Sequence, residues 1–225
     1  MAISRTLVDA VLDLEPQPRG YRWTSVTYCL LDAVWSIGIN YDRHVIQIVR
    51  RVAAKVLDAE PVITATSPLP PEPLPLTKFI TLFPTSDSLV ELTSRHRTSS
   101  TNGILKGDAA LRYAQALTQH GVDSLADARA VLEDPDRVDA ISVVLRRIPG
   151  DGVRTEYFWM LVGDDEMVKP DRMILRFLAR HGHMVNGPEA KVLLREVAIE
   201  LSTPDRPVTP WMVDHAIWRA ERRER

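Results

Sequence analysis

The stretch IPGDGVRTEYFWMLVGDDEMVKPDRMILR, residues 148–176, decides how the chain is read. Pro149 pre-sets one turn residue. Gly150 and Gly152, one residue apart, let the backbone turn sharply and come close to another molecule. Apolar periodicity predicts a helix on either side, Asp136 to Arg147 before the turn and Val153 to Leu161 after it. The backbone N–H groups of Gly152, Val153 and Arg154 then open a helix, and such groups suit a phosphate. A third helix is predicted from Pro170 to Arg180, with Met173, Ile174, Phe177 and Leu178 inward. That placement puts Asp171 in a first helical turn, where the helix dipole favours its ionised form.

Outward from this stretch, helical spacing dominates. Val26, Leu30, Leu31, Val34 and Trp35 form one apolar face, and Val45, Ile48, Val49 and Val52 another. Asp87 or Ser88 is the expected cap of a short helix through Leu92. Lys106 to Thr118 reads as an amphipathic helix ending at His120-Gly121, and Ser124 or Asp127 starts the next. Two more helices are expected near residues 188–201 and 210–222. Pro61, Pro68, Pro70, Pro71, Pro73 and Pro75 break any regular helix, so residues 61–75 read as an extended connector. No repeat is visible and no strand is expected. The fold class is all-α, about ten helices.

Composition narrows the function classes. The 225 residues suffice for one sizeable core, in one or two lobes. The formal net charge of −2 carries no global basic signature, so any nucleic-acid contact must rest on a local patch. The single cysteine, Cys29, rules out an internal disulfide and a cysteine-ligated iron–sulfur cluster. Cys29 reads as a small buried residue on a helix. The opening MAISRTLVDAVLDLEP lacks a long apolar core, and no run reaches membrane-spanning length. A cytoplasmic protein with no membrane partner is therefore expected. His181-Gly182-His183 has no third ligand at metal spacing, so no metal is expected. Asp214-His215 reads as structural, with Ile217 and Trp218 packing inward.

Elements in a fixed order carry a family resemblance. Trp35-Ser36-Ile37-Gly38 ends an early helix, and Gly103-Ile104-Leu105-Lys106-Gly107-Asp108-Ala109 opens a long one. The Ile148–Gly152 turn follows, and then Val168-Lys169-Pro170-Asp171-Arg172. This order resembles the helix-hairpin-helix DNA glycosylase superfamily (HhH-GPD), with endonuclease III its best-known kind. The resemblance implies a two-lobed helical fold in a single unit. One lobe would span about 86–180 with the hairpin at 148–152. The other would combine residues 1–60 and 181–225.

The resemblance also implies roles. Asp171 would be the catalytic carboxylate, stabilising positive charge on the sugar as an N-glycosidic bond breaks. Gly150, Gly152, Val153 and Arg154 would hold a phosphate of double-stranded DNA, with a monovalent cation at the hairpin carbonyls as an optional ligand. Lys106, Arg146, Arg147 and Lys169 are further candidate phosphate contacts. Arg154 stands where bifunctional members carry a Schiff-base lysine, and arginine cannot act as an amine nucleophile. The implied activity is therefore a monofunctional glycosylase excising a damaged or modified base. The protein would be a monomer, nucleoid-associated if bacterial, with neither an iron–sulfur cluster nor another cofactor. Gly38 stands where a glutamine is usual in the intercalating turn. The alternative is a non-catalytic DNA-binding or interaction module on the same fold.

Overall fold

Helices make up most of the computed structural model, which describes residues 3–150 and 153–223. The helices are α1 (Arg5–Leu12), α2 (Val26–Trp35), α3 (Ile46–Ala54), α4 (Leu76–Leu82), α5 (Ser86–Leu92), α6 (Lys106–Gln119), α7 (Leu125–Leu132), α8 (Pro135–Arg146), α9 (Arg154–Val162), α10 (Arg172–Arg180), α11 (Gly187–Leu201) and α12 (Pro210–Arg223). A π turn, Tyr41–Val45, leads into α3. The all-α reading holds at this level. One correction is a two-stranded antiparallel ribbon, β1 (Tyr21–Trp23) with β2 (Val62–Thr64), pairing Trp23 with Val62. Three-residue strands are too short to show a period-2 pattern in sequence.

The chain forms two compact units, Gly20–Val162 and Met1–Arg19 with Gly163–Arg225. In the first, α2 is the central element. Every residue of VTYCLLDAVW is buried, so the helix needs neighbours all round. α6 and α9 are among those packing on it. Cys29 is buried there. Asp32 is the charged residue in that apolar run, and aromatic donors answer it. The Trp23 indole donates to its Oδ2 at 2.9 Å and the Tyr41 hydroxyl at 2.7 Å. Tyr157 of α9 also bonds Asp32 and Tyr41; burial, then the Asp32 charge, push its phenol well above the usual range. One buried carboxylate thus ties the ribbon, the π turn and α9 to α2. The Pro-rich segment is fixed as well: the Leu74 carbonyl accepts from the hydroxyls of Ser25 and Thr27 at the start of α2.

The second unit is built on α1, α10, α11 and α12. Leu7 and Val11, Ile174, Phe177 and Leu178, Leu193, Leu194 and Val197, and Val213 and Ile217 share one apolar core. Fully burying a Leu or Phe stabilises by roughly 1.5–3 kcal/mol. The buried Glu221 of α12 receives Arg176 Nε at 2.7 Å and also bonds Arg180, which pins α12 to α10. Burial works to raise the Glu221 carboxyl, but the bonds and charges of the two arginines prevail and hold it below the usual range.

Candidate functional site

Asp171 is the N-cap of α10, not a member of its first turn: the helix begins at Arg172. The extended backbone of Asp171, φ −79° and ψ −177°, and its short acceptor side chain suit the cap position. The Asp171 Oδ1 accepts the Met173 N–H at 2.8 Å and the Ile174 N–H at 3.3 Å. Its Oδ2 takes no hydrogen bond among the described residues. An Asp in this place answers the free N–H groups and dipole of the helix start, which hold the carboxylate in one orientation. The side chain is only half-buried, so one oxygen remains open to chemistry.

The loop ahead of Asp171 is held from α12. The Lys169 N–H donates to Asp214 Oδ2 at 2.7 Å, and the Asp171 N–H closes a tight bond to the Lys169 carbonyl at 2.6 Å. Asp214 is 6% exposed. Its carboxyl is pushed up to about 7, first by burial and then by the Asp171 charge, against the Lys169 N–H bond and the Lys169 charge. Lys169 itself is buried at 8% exposure, which separates it from an open phosphate contact.

Of the cations expected in the unit that holds the hairpin, Arg154 and Lys106 are turned inward, while Arg146 and Arg147 are exposed. The described part of the turn follows α8 and reaches Gly150 with φ +75°, a left-handed conformation that favours glycine. A Cβ at Gly150 would collide with the Thr98 side chain, so a second reason for glycine is the loop pressed against it. Gly152 lies outside the described residues. Val153 immediately precedes α9, and its carbonyl accepts the Tyr157 N–H. Arg154 is buried at 1% exposure. Its Nη2 donates to the Pro149 carbonyl at 3.2 Å, and its guanidinium lies 5.2 Å from the Tyr113 ring centroid. Arg146 is exposed and pairs with Glu156 at 3.1 Å.

Lys106 departs most from expectation. It is 1% exposed, and its ammonium donates to the carbonyls of Trp35 at 3.0 Å and Ile37 at 2.6 Å. It therefore closes the C-terminal end of α2, where helix carbonyls lack partners and a cation is favoured. The early turn and the Gly103–Lys106 element are thus brought together by one buried side chain.

The 94–105 segment joins these parts. An antiparallel bridge between Arg97 and Leu105 closes it, with the Thr98 N–H donating to the Ile104 carbonyl at 2.9 Å. Ser94 Oγ accepts the Trp35 indole N–H at 2.9 Å and bonds His96 Nδ1 at 2.9 Å. The His96 ring meets the His44 ring edge-on, centroids 5.6 Å apart. Burial, then the charges of Lys106 and His44, lower the His96 imidazole below its usual value. Arg95, His96 and Arg97 are exposed, as are Arg43 beside His44 and Arg147 beside the hairpin. Asp42 and Glu91 are the exposed acids next to these segments.

Among the described residues, no group of three or more His, Cys, Asp and Glu gathers as a metal site. No helix among them is long and apolar enough to cross a membrane.

A family model described as a domain of unknown function, DUF8548, matches residues 3–222. The chain belongs to this family. No curated protein and no solved structure matches it. The DUF8548 match spans parts of both compact units and includes Lys106, Gly150, Asp171 and Asp214.

Several residues of this DUF8548 chain escaped the sequence reading. Asp214 was visible beside His215 but had no motif to assign it. Asp32 carried a signal, a lone charge in a ten-residue helix that is otherwise mostly apolar. Ser94, His96 and Thr98 carried none, because a Ser/Thr-rich loop has no periodicity to read.

Proposed function

We propose that this protein is a duplex-DNA-binding glycosylase of HhH-GPD-like fold. It would hydrolyse the N-glycosidic bond of a damaged or modified base without a Schiff-base step. The observation that carries this reading is Asp171. Its carboxylate is oriented by two helix N–H bonds through Oδ1, while Oδ2 stays open, directly downstream of a helix–turn–helix whose turn requires Gly150.

The chemistry follows from that geometry. As the bond from the sugar C1′ to the base nitrogen breaks, its electron pair leaves with the base and positive charge builds on the sugar. The Asp171 carboxylate stabilises that charge and orients a water. The water oxygen bonds C1′, and its proton is released to the departing base. The base must leave the duplex stack to be reached. Arg147, exposed beside the hairpin, and Arg95 and Arg97, exposed on the 94–105 segment that meets Gly150 through Thr98, supply local positive charge that the net charge of −2 withholds globally. The finer expectations of a monomer in the cytoplasm, or at the nucleoid, belong to the same proposal.

The deciding experiment uses duplex oligonucleotides carrying uracil, alkylated, oxidised or hypermodified bases, followed by alkali cleavage. Strand scission from at least one duplex, absent with Asp171→Asn, is the expected result. A second reading, a non-catalytic DNA-binding module, draws support from the inward-turned Lys106 and Arg154. Salt-sensitive duplex binding with no base release from any duplex favours that module. Absence of binding at low salt removes both.

A further inference from the structure

Asp214 is a buried carboxyl on α12 that accepts a backbone N–H from the loop before α10. That loop is short and constrained. Pro170 offers no N–H and has a fixed φ, and the Lys169 carbonyl is taken by the Asp171 N–H at 2.6 Å. The lateral hold on Lys169 through its N–H comes from Asp214, 45 residues later in the chain. α12 is itself fixed to α10 by the shared apolar core and by Glu221 with Arg176 and Arg180. The element that receives the Asp171 cap and the element that holds the loop are therefore one packed body.

A carboxyl is an expensive acceptor to bury for a single N–H. A backbone carbonyl or an asparagine would serve the bond as well.

We propose that Asp214 is a positioning residue for Asp171, fixing through the Lys169 N–H the loop that delivers Asp171 to the start of α10. This rests on the glycosylase reading for its catalytic meaning, but the positioning itself is independent of it. The charged groups acting on Asp214 are Asp171 and Lys169 of the loop, while Leu7, Leu193, Leu194 and Val197 of α1 and α11 belong to the apolar core of the same unit. Burial raises the Asp214 carboxyl to about 7, so below that value it holds the Lys169 N–H without adding a second charge beside Asp171.

The test compares Asp214→Ala with Asp214→Asn in the full chain. Amide hydrogen exchange is followed at Met173 and Ile174, whose N–H groups Asp171 caps, with core amides of α11 as reference. Losing one buried hydrogen bond is worth about tenfold in a local opening equilibrium. Asp214→Ala is expected to speed exchange at Met173 and Ile174 about tenfold relative to α11. Asp214→Asn, which keeps an acceptor, restores protection. On a duplex that the wild type processes, Asp214→Ala lowers the single-turnover rate while duplex affinity stays, and Asp214→Asn recovers the rate. Unchanged exchange at Met173 and Ile174 in Asp214→Ala overturns the proposal, as does equal loss in both variants. If wild type releases no base from the uracil, alkylated, oxidised or hypermodified duplexes, the glycosylase reading falls. The exchange arm still decides whether Asp214 positions Asp171.

Discussion

The hairpin region and the Asp171 region treat their charged residues in opposite ways. Around the hairpin, Lys106 and Arg154 are buried at 1% exposure and bond backbone carbonyls within their own unit. Around Asp171, the acid stands half-buried at a helix start with Oδ2 open, and a buried acid fastens the loop behind it. Basic residues in the first region hold helix ends and turns in place, so the count of cations near the hairpin overstates the charge available to a polyanion. In the second region the fold uses its polar contacts to aim a charge and leave part of it unspent.

The sharpest break of that contrast is Asp171→Asn. An asparagine keeps the size and can still cap α10, but it lacks the negative charge. Base release on a processed duplex is expected to fall roughly 100- to 1,000-fold, with duplex affinity unchanged. A variant as fast as wild type in single-turnover assays would make Asp171 a helix cap and nothing more.

Next in size is Glu221→Gln. The buried acid loses its charge-assisted bonds to Arg176 and Arg180, both of which face solvent in part. The expected loss in urea unfolding is about 2–3 kcal/mol. Because the folded carboxyl lies below its ordinary value of 4.5, its contribution is present above that pH and is lost as pH falls. The wild type should therefore approach the variant in stability at low pH.

Lys106→Met tests the inward cations. It leaves the carbonyls of Trp35 and Ile37 without their buried donor, at a cost of about 1–3 kcal/mol by urea unfolding. Arg147→Ala, at an exposed site beside the hairpin, should leave stability within about 0.5 kcal/mol. It should reduce the salt dependence of duplex binding by about one phosphate contact. A Lys106→Met protein as stable as wild type would undo the contrast between the two regions.

A finer measurement separates two neighbours on α12. Asp214 has a folded value raised from 3.8 to about 7, so the stability it carries is complete below 3.8 and declines as pH rises through 7. His215 is lowered from 6.5 to about 4, first by burial and then by the charges of Arg219 and Arg19. Its stability is complete above 6.5 and declines as pH falls through 4. The two slopes oppose each other between about 4 and 7. Asp214→Asn removes one of them, so the variant's stability should rise more steeply with pH than that of wild type across this window. Parallel curves would show that Asp214 is ionised throughout.

Helices were legible because their apolar spacing is set by burial. Val26 to Trp35, Lys106 to Gln119 and Gly187 to Leu201 lie close to where periodicity put them. Starts were less legible: Thr85 caps α5 in a reciprocal pair with Ser88, where Asp87 or Ser88 was the expected cap. Several adjacent Ser, Thr and Asp residues can each serve, and only packing chooses among them. The site was half legible. Asp171 and Gly150 stand out by residue type and order. The inward turn of Lys106 does not, because a lysine's direction depends on a partner 71 residues away in sequence. The bond from Lys169 to Asp214 is hidden for the same reason, since a backbone N–H has no sequence identity.

Along α12, His215 lies stacked between Trp211 and Trp218, at ring-centroid distances of 4.7 and 5.7 Å. Arg19 covers the outer face of this ladder at Trp211 and Arg222 at Trp218. The remaining tryptophans, Trp23, Trp35 and Trp159, belong to the other unit and donate their indole N–H to Asp32, Ser94 and Ser142. A protonated imidazole quenches indole emission on contact. The chain therefore carries a built-in optical gauge: acid-induced loss of fluorescence reports the charge on His215 from the unit holding Asp171, while the three hydrogen-bonded indoles supply a steady background from the other.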